Sequence, residues 1–425
     1  MPDKTFVSPV DGAWLRMDSA TNPMVINVVM VLDGPVAHSD LEALLTERLV
    51  SQARFRQRIR HSIVPLLPPA WEDDPHFDLG THVHRVALPS PGDESALQDL
   101  VSDLMSVPLD RDRPLWQVYH VEGYPAGSVL IARVHHAVGD GVALVKLLLR
   151  LTDGGVAQRP EPPRVGVESK RALDPMGIAK LAGAKALSLG KMLLLSSDSQ
   201  SALKGKLGVR KKVAWSRPFD VARLKGAAHA RQAKLNDLVV ASVSGALRAY
   251  LHEKGHVPSS LRALVPVYVQ GHAKEKGDLG NHFGLVFLNL PVHISDVEDR
   301  ISEAKRTMDE MKRAPDALTA IAVLAAMGMA SEGIQKIGID IFTRKASLLI
   351  TNVPGPTETL DLLGRKLTNV LVWAPVSGEV ALGVTLLSYG GNMRMGVSSD
   401  ARVVADPHRI VGAFEEVMEA TLSLG

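Results

Sequence analysis

His135-His136-Ala137-Val138-Gly139-Asp140-Gly141 is the run of this 425-residue chain whose residue types and spacing could do chemistry. A neutral imidazole near physiological pH can take a proton from an attacking hydroxyl and hand it to a leaving group, with no covalent enzyme intermediate. An apolar run from Ser128 ends at Arg133 to His136, and Gly141 to Leu149 reads as a buried helix. The histidine pair therefore sits where a strand gives way to a helix. Neighbouring strand residues point to opposite faces, so one of the two histidines faces a given cavity, which makes them a poor metal clamp but a good positioned base. Asp140, bracketed by Gly139 and Gly141, would need a cationic partner if buried, and its expected job is to hold the loop. By spacing alone, a catalytic base and a histidine pair packed in a tight turn are both open.

Other candidate chemistry is weaker. His252-Glu253-Lys254-Gly255-His256 has the HExxH pattern of zinc proteases, but Gly255 and Pro258 end the helix on which both histidines would have to lie. His82-Val83-His84 would put two imidazoles on one strand face, yet no carboxylate cluster completes a site, and solvated or capping histidines are expected there. No metal is expected. There is no G-x-S-x-G elbow and no G-x-G-x-x-G loop, which disfavours a serine hydrolase and a bound dinucleotide.

Several elements must position the histidine run. Asp40 to Val50 and Glu94 to Met105 have helical spacing, while Met24 to Leu32 and Ser128 to Val134 are Val-, Ile- and Leu-rich strands. Residues 1–155 thus read as one α/β lobe. Prolines over 158–164 mark a linker, and a basic segment follows with Lys170, Arg171, Lys180, Lys185, Lys191 and further cations to Lys212. We assign 156–214 to this Pro-rich, then basic amphipathic linker. A second lobe over 215–425 carries helices at Val221 to Ala230, Leu235 to His252 and Val297 to Met311, the last resuming after Pro315 to about Thr343. Its strands are expected at Ala263 to Val269, Gly284 to Val292, Ser347 to Thr351, Thr368 to Trp373, Val380 to Ser388 and Met393 to Ser398, with a closing helix from Pro407 to Leu424.

Composition narrows the class. A content of 46% hydrophobic and 22% charged residues suits a globular protein of two lobes, and a formal net charge of +2 gives no reason to expect nucleic acid. The absence of cysteine excludes disulfides, zinc ribbons and thiol nucleophiles together and suits a reducing compartment. No signal peptide is apparent, and the most apolar window, Leu318 to Ala330, is well short of the ~20 residues needed to span a bilayer. A cytoplasmic location is expected.

The histidine run matches the HHxxxDG signature of the coenzyme A-dependent acyltransferase superfamily, shared with chloramphenicol acetyltransferases and peptide-synthetase condensation domains. Other matches follow in order: Ser8-Pro9-Val10-Asp11, Arg54-Phe55-Arg56-Gln57-Arg58, Arg113-Pro114-Leu115-Trp116, Leu235-Asn236-Asp237, Leu279-Gly280-Asn281 and Asn352-Val353-Pro354-Gly355-Pro356. With these the chain resembles, over essentially its whole length, the bacterial wax ester synthase/diacylglycerol acyltransferases. The resemblance implies an α/β fold of two chloramphenicol-acetyltransferase-like lobes, mixed sheets with flanking helices, and an active site at their interface. It implies transfer of a long-chain acyl group from acyl-CoA, a co-substrate rather than a permanently bound cofactor, to diacylglycerol and/or a long-chain alcohol.

On the same resemblance His136 is the general base, His135 is supporting, and Asp140 pairs with Arg56 or, alternatively, Arg58, with Gly141 closing the signature. Asn236 belongs to the active site, its amide available to a thioester oxyanion, and Asp237 supports it. Capping of the helix that runs to His252 is the alternative for either residue. Pro114-Leu115-Trp116 and the NVPGP element are expected to be structural. Asp361 and Arg365 stand where family members often carry an aromatic and a small residue, which bears on acceptor preference if that stretch lines the alcohol channel. The basic segment 176–195 suits a peripheral membrane or lipid-droplet surface, with a solvated interlobe helix as the alternative. Rival readings are a non-catalytic lipid or acyl-chain binding protein of the same fold, and an acyltransferase for another small alcohol or an amine.

Overall fold

A computed structural model describes residues 5–60, 68–154, 194–268, 283–313, 338–340 and 342–423. The proline-rich linker, residues 176–193 of the basic segment, the Leu279-Gly280-Asn281 element, the apolar window from Leu318 and most of the helix expected to reach Thr343 lie outside the described residues. Among the described residues, no helix is long and apolar enough to cross a membrane.

After a short strand β1 (Thr5–Phe6), the Ser8 hydroxyl accepts the Asp11 N–H at 3.1 Å and donates to the Asp11 carboxylate at 2.6 Å. With Pro9 in the first turn, this starts helix α1 (Pro9–Met17). Apolar spacing does not announce so short a helix; its capping residues do. Strand β2 (Val25–Leu32) follows, then α2 (His38–Leu45), which continues as a π turn over Thr46–Val50. Strands β3 (Gln57–Arg60) and β4 (Ala70–Asp73) form a small sheet with β1. Strand β5 (Val83–Ala87) runs parallel to β6 (Trp116–Tyr124), with α3 (Glu94–Met105) as the crossover between them. Strand β7 (Gly127–His135) lies antiparallel to both β6 and β2 and leads into α4 (Gly141–Leu151).

The second half supplies β8 (Lys211–Trp215), β9 (Phe219–Asp220), α5 (Val221–Ala230), α6 (Leu235–Glu253), β10 (Leu261–Tyr268), β11 (Phe283–Leu290) and α7 (Val297–Arg313). Then come β12 (Leu348–Pro354), β13 (Asp361–Leu362), β14 (Arg365–Trp373), β15 (Leu382–Tyr389), β16 (Asn392–Asp400) and α8 (Pro407–Ser423). The strand order is β13-β14-β2-β7-β6-β5 in one mixed sheet and β11-β10-β12-β15-β16-β8 in the other, with β9 also on β16. Within the second sheet β10, β12 and β15 are parallel.

Both sheets are covered on two faces. In β2 and β7, Met30, Leu32, Leu130 and Val134 turn into the core shared with α1 and α4, while Val29, Val31, Val129 and Ile131 pack with α3, Trp215 and Trp373. Alternation of side chains along a strand produces this split, and it explains why these strands read as continuous apolar runs.

Sheet membership does not follow a division of the chain at 155 and 214. Strand β8 straddles that second boundary and belongs to the C-terminal sheet, whereas β13 and β14, deep in the C-terminal half, complete the N-terminal one by pairing with the edge of β2. An unpaired sheet edge takes its partner from wherever the chain returns. Buried Tyr389 secures this crossover: its hydroxyl accepts the Leu360 N–H and donates to the Leu367 carbonyl, both at 2.8 Å. Tyr389→Phe leaves both buried backbone groups unpaired and is expected to lower stability by about 2 kcal/mol, read from chemical denaturation. An unchanged denaturation midpoint would show that the crossover is held by strand pairing alone.

Candidate active site

Strand β7 ends against two neighbours. His135 N–H donates to the Leu115 carbonyl at 3.0 Å, and His136 N–H donates to the Met24 carbonyl, just before β2, at 2.8 Å. Beyond that point the chain turns, Val138 N–H reaching back to the His135 carbonyl at 2.9 Å. Asp140 caps α4, its carboxylate accepting the Ala143 N–H at 3.0 Å. A negative side chain there also suits the positive end of the helix dipole.

The two histidines part as strand alternation requires. His135 is 1% exposed, and its Nδ1 accepts the Ala137 N–H at 3.0 Å, so the ring proton of the neutral form sits on Nε2. That nitrogen faces the Asp18 carboxylate at 3.8 Å, longer than a hydrogen bond. Asp18 in turn accepts the Met24 N–H at 2.8 Å and meets the Arg111 guanidinium at 3.0 Å. Burial pushes the Asp18 carboxyl up, but His135, the Met24 N–H and Arg111 outweigh it, and its pKa lies below the ordinary 3.8.

His136 instead lines a cavity of about 560 Å³ between the two sheets, its ring stacked on the Trp14 indole with centroids 4.2 Å apart and planes 19° from parallel. The cavity walls are mostly apolar: Ile26 and Val372 on one side, Leu264, Val265, Leu285, Met308 and Val353 on the other. Asp140 and Gly141 border it beside His136, and Asn236 and Asn352 border it from the second lobe. The Asn352 Nδ2 donates to Asn236 Oδ1 at 2.8 Å.

Asp237 turns the other way. It is 1% exposed, and its carboxylate accepts the Lys234 N–H at 2.9 Å, which caps the first turn of α6. Of the two residues Asn236 and Asp237, the acid takes the capping place and the amide borders the cavity.

Two expectations need correction. Arg56 donates to the Val50 carbonyl, and Arg58 pairs with Glu72 at 3.0 Å, so neither guanidinium is engaged with Asp140 in these contacts. The reason is local: Arg58 stands directly opposite Glu72 in the β3–β4 ladder, and Arg56 closes the 3-10 turn over Ala53–Phe55. His82 is not solvated: its N–H closes the 3-10 turn over Leu79–Thr81 on the Leu79 carbonyl at 2.9 Å, and its ring is buried. It stacks on Trp116 at 4.7 Å, with Nδ1 at 2.8 Å from the Trp116 carbonyl, and burial holds its pKa below the ordinary 6.5. Asp361 and Arg365 lie on the outer β13–β14 hairpin rather than along the cavity wall.

Other readings of the residues agree with the structure. The Trp116 indole N–H is satisfied by the Phe55 carbonyl at 2.8 Å, and α6 stops at Glu253 with Gly255 at φ +88°, which separates His252 from His256. Trp14, Asp18 and Asn352 were not assigned to the site by sequence reasoning. The Ser8-Pro9-Val10-Asp11 helix start is the signal that could have placed Trp14 one turn along; nothing local points to Asp18.

Two covered sheets meeting over an apolar cavity with one histidine at a strand end place the chain in the two-lobed, chloramphenicol-acetyltransferase-like class. Solved structures agree: the wax ester synthase/diacylglycerol acyltransferase of Marinobacter aquaeolei VT8 superposes with a TM-score of 0.75 at 24% identity, over 99% of both chains. The starter condensation domain of rhizomide synthetase RzmA, as a point mutant in complex with C8-CoA, superposes with a TM-score of 0.63 at 15% identity, over 99% of this chain and 94% of that one. The family model described as the wax ester synthase/diacylglycerol acyltransferase catalytic domain matches residues 7–223, and that of the family's C-terminal domain matches 279–421. The chain therefore belongs to the wax ester synthase/diacylglycerol acyltransferase family. Its relatives include the "Probable diacyglycerol O-acyltransferase tgs1" of Mycobacterium tuberculosis, 29% identical over 98% of this chain and 96% of that protein. A second M. tuberculosis relative, the "Probable diacyglycerol O-acyltransferase tgs2", is 29% identical over 97% of each chain.

Because the Asp18 pKa is depressed in the folded state, its contribution to stability is present in full above the unfolded carboxyl's range and is lost as pH falls through the lowered value. Asp18→Asn should reduce thermal stability near neutral pH and flatten the decline in the acid range, as pH falls below the ordinary carboxyl value of 3.8. Melting curves across that window test this, and a variant whose acid limb matches the parent's would refute the assignment.

Proposed function

We propose that the chain transfers a long-chain acyl group from acyl-CoA to the hydroxyl of diacylglycerol and/or a long-chain alcohol, with His136 as general base. The observation that carries this reading is His136 bordering an apolar cavity of about 560 Å³, the size and lining suited to lipid chains rather than to a small polar acceptor. The names of the mycobacterial relatives favour diacylglycerol as one acceptor.

In the proposed reaction the His136 imidazole takes the proton of the acceptor hydroxyl as its oxygen bonds to the thioester carbonyl carbon. The negative charge that develops on the carbonyl oxygen meets the Asn236 amide or a backbone N–H. Collapse breaks the carbon–sulfur bond, the ester forms, and the proton on His136 passes to the departing thiolate. His135, tied to the Ala137 N–H and facing the Asp18 carboxylate, keeps the turn rigid; Asp140 does the same from the other end by capping α4.

The lysine-rich segment 176–195 completes the reading as a peripheral contact of a cytoplasmic protein with membrane or lipid-droplet surface, where such acceptors reside. Deleting 176–195 should abolish co-sedimentation with anionic liposomes; binding that is unaffected would remove this part of the proposal.

The chemistry is tested by free-thiol release from palmitoyl-CoA in the presence of diolein or hexadecanol. His136→Ala should lower kcat by about 10²- to 10⁴-fold while the melting temperature stays near the parent's. Activity that survives in a folded variant would overturn the mechanism.

A further inference from the structure

The NVPGP element holds more than a turn. Asn352 lies on β12 opposite Leu386 of β15, and the backbone beyond it is tightly fixed. Gly355 N–H donates to the Ser388 carbonyl at 2.8 Å, and a Cβ at Gly355 would come within 2.5 Å of that same oxygen, so no other residue fits without displacing β15. The Gly390 N–H closes the turn on the Pro356 carbonyl at 3.0 Å. The proline rings fix φ at positions 354 and 356, on each side of Gly355.

Asn236 has a separate anchor, the second position of α6, whose first turn is capped by the Asp237 carboxylate. Two independently fixed backbones thus bring two carboxamides together at the cavity that His136 borders. The contact has a direction. Asn352 Nδ2 donates and Asn236 Oδ1 accepts, which occupies the carbonyl end of Asn236 and leaves its NH₂ as the group to present to the cavity. The reverse arrangement would present a carbonyl oxygen, which repels a developing oxyanion.

We propose that Asn352 is a positioning residue for acyl transfer: through its hydrogen bond to Asn236 Oδ1 it orients the Asn236 amide with N–H toward the reacting carbonyl oxygen. This rests on the assignment of Asn236 to oxyanion stabilisation made above and names the residue that makes that assignment work. A carboxamide free to rotate about its last bond spends half its time wrongly oriented and must be ordered at the moment of reaction, whereas a preorganised donor is not.

The test is a double-mutant cycle on the full-length protein, with kcat and KM measured for palmitoyl-CoA and diolein. Asn236→Ala should lower kcat by about 10²-fold with little change in KM. Asn352→Ala should lower kcat by about tenfold, again with KM nearly constant. The double variant should be no slower than Asn236→Ala, because Asn352 acts through Asn236. Asn352→Asp, equal in size but able only to accept, should draw the Asn236 NH₂ toward itself and lower kcat more than Asn352→Ala does. It also serves as the folding control should the alanine variant melt early. A normal rate in both folded Asn352 variants, or losses that multiply in the double variant, would overturn the positioning role while leaving Asn236 in place. A normal rate in Asn236→Ala would instead overturn the oxyanion assignment, and the positioning role with it.

Discussion

The site depends on the register of three adjacent strands. Val25 of β2 stands opposite His135 of β7, and Asn27 of β2 stands opposite Trp373 of β14, so the start of β2 and the ends of β7 and β14 coincide at one rim of the sheet. A slip of one residue in β7 would exchange the two histidines, sending His136 toward Asp18 and His135 to the cavity. The register is secured because β2 and β7 are buried on both faces and each alternate set of side chains already belongs to a different core. Which histidine reaches the cavity is thus a consequence of packing far from the histidine itself.

Charge is handled differently in the two regions. Behind the second sheet, buried ions are paired: Lys211 Nζ meets Asp400 at 2.7 Å, and Asp198 lies 3.5 Å from the Arg262 guanidinium while accepting the Ser347 hydroxyl at 2.6 Å. Around the cavity, carboxylates are turned into backbone caps, Asp140 on α4 and Asp237 on α6. Acids near the cavity are thereby bound to helix N-termini. His136, Asn236 and Asn352 share the border of the mostly apolar chamber with hydroxyl side chains such as Thr351 and Ser388 and with Lys225 and Lys312.

Much of the fold was legible because the relevant patterns are local. Helix α3 and helix α5 begin and end where apolar spacing and capping residues say, and β2, β7, β12 and β15 follow from their Val-, Ile- and Leu-rich runs. Apolar spacing did not show the shorter or less regular pieces: α1 is nine residues with a glycine inside, and β5 and β6 carry His84, His120 and Glu122 among their apolar residues. The partner proposed for Asp140 failed for a related reason. An arginine's partner is set by what faces it across a ladder, and Glu72 is invisible from Arg58 until the β3–β4 pairing is known.

The sequence by itself determined the chemistry available to this protein. It held the histidine run at a strand-to-helix turn, the absence of thiols, the ordered motifs that mark the family, and the caps and prolines that stiffen its turns, all properties of neighbouring residues. Tertiary structure decided which groups meet. It turned His135 inward and His136 to the cavity, stacked Trp14 on the chosen ring, returned β14 to the N-terminal sheet, and joined Asn236 to Asn352 across 116 positions of chain. These contacts depend on strand register and on the burial of both sheet faces, which are long-range quantities that no local pattern encodes.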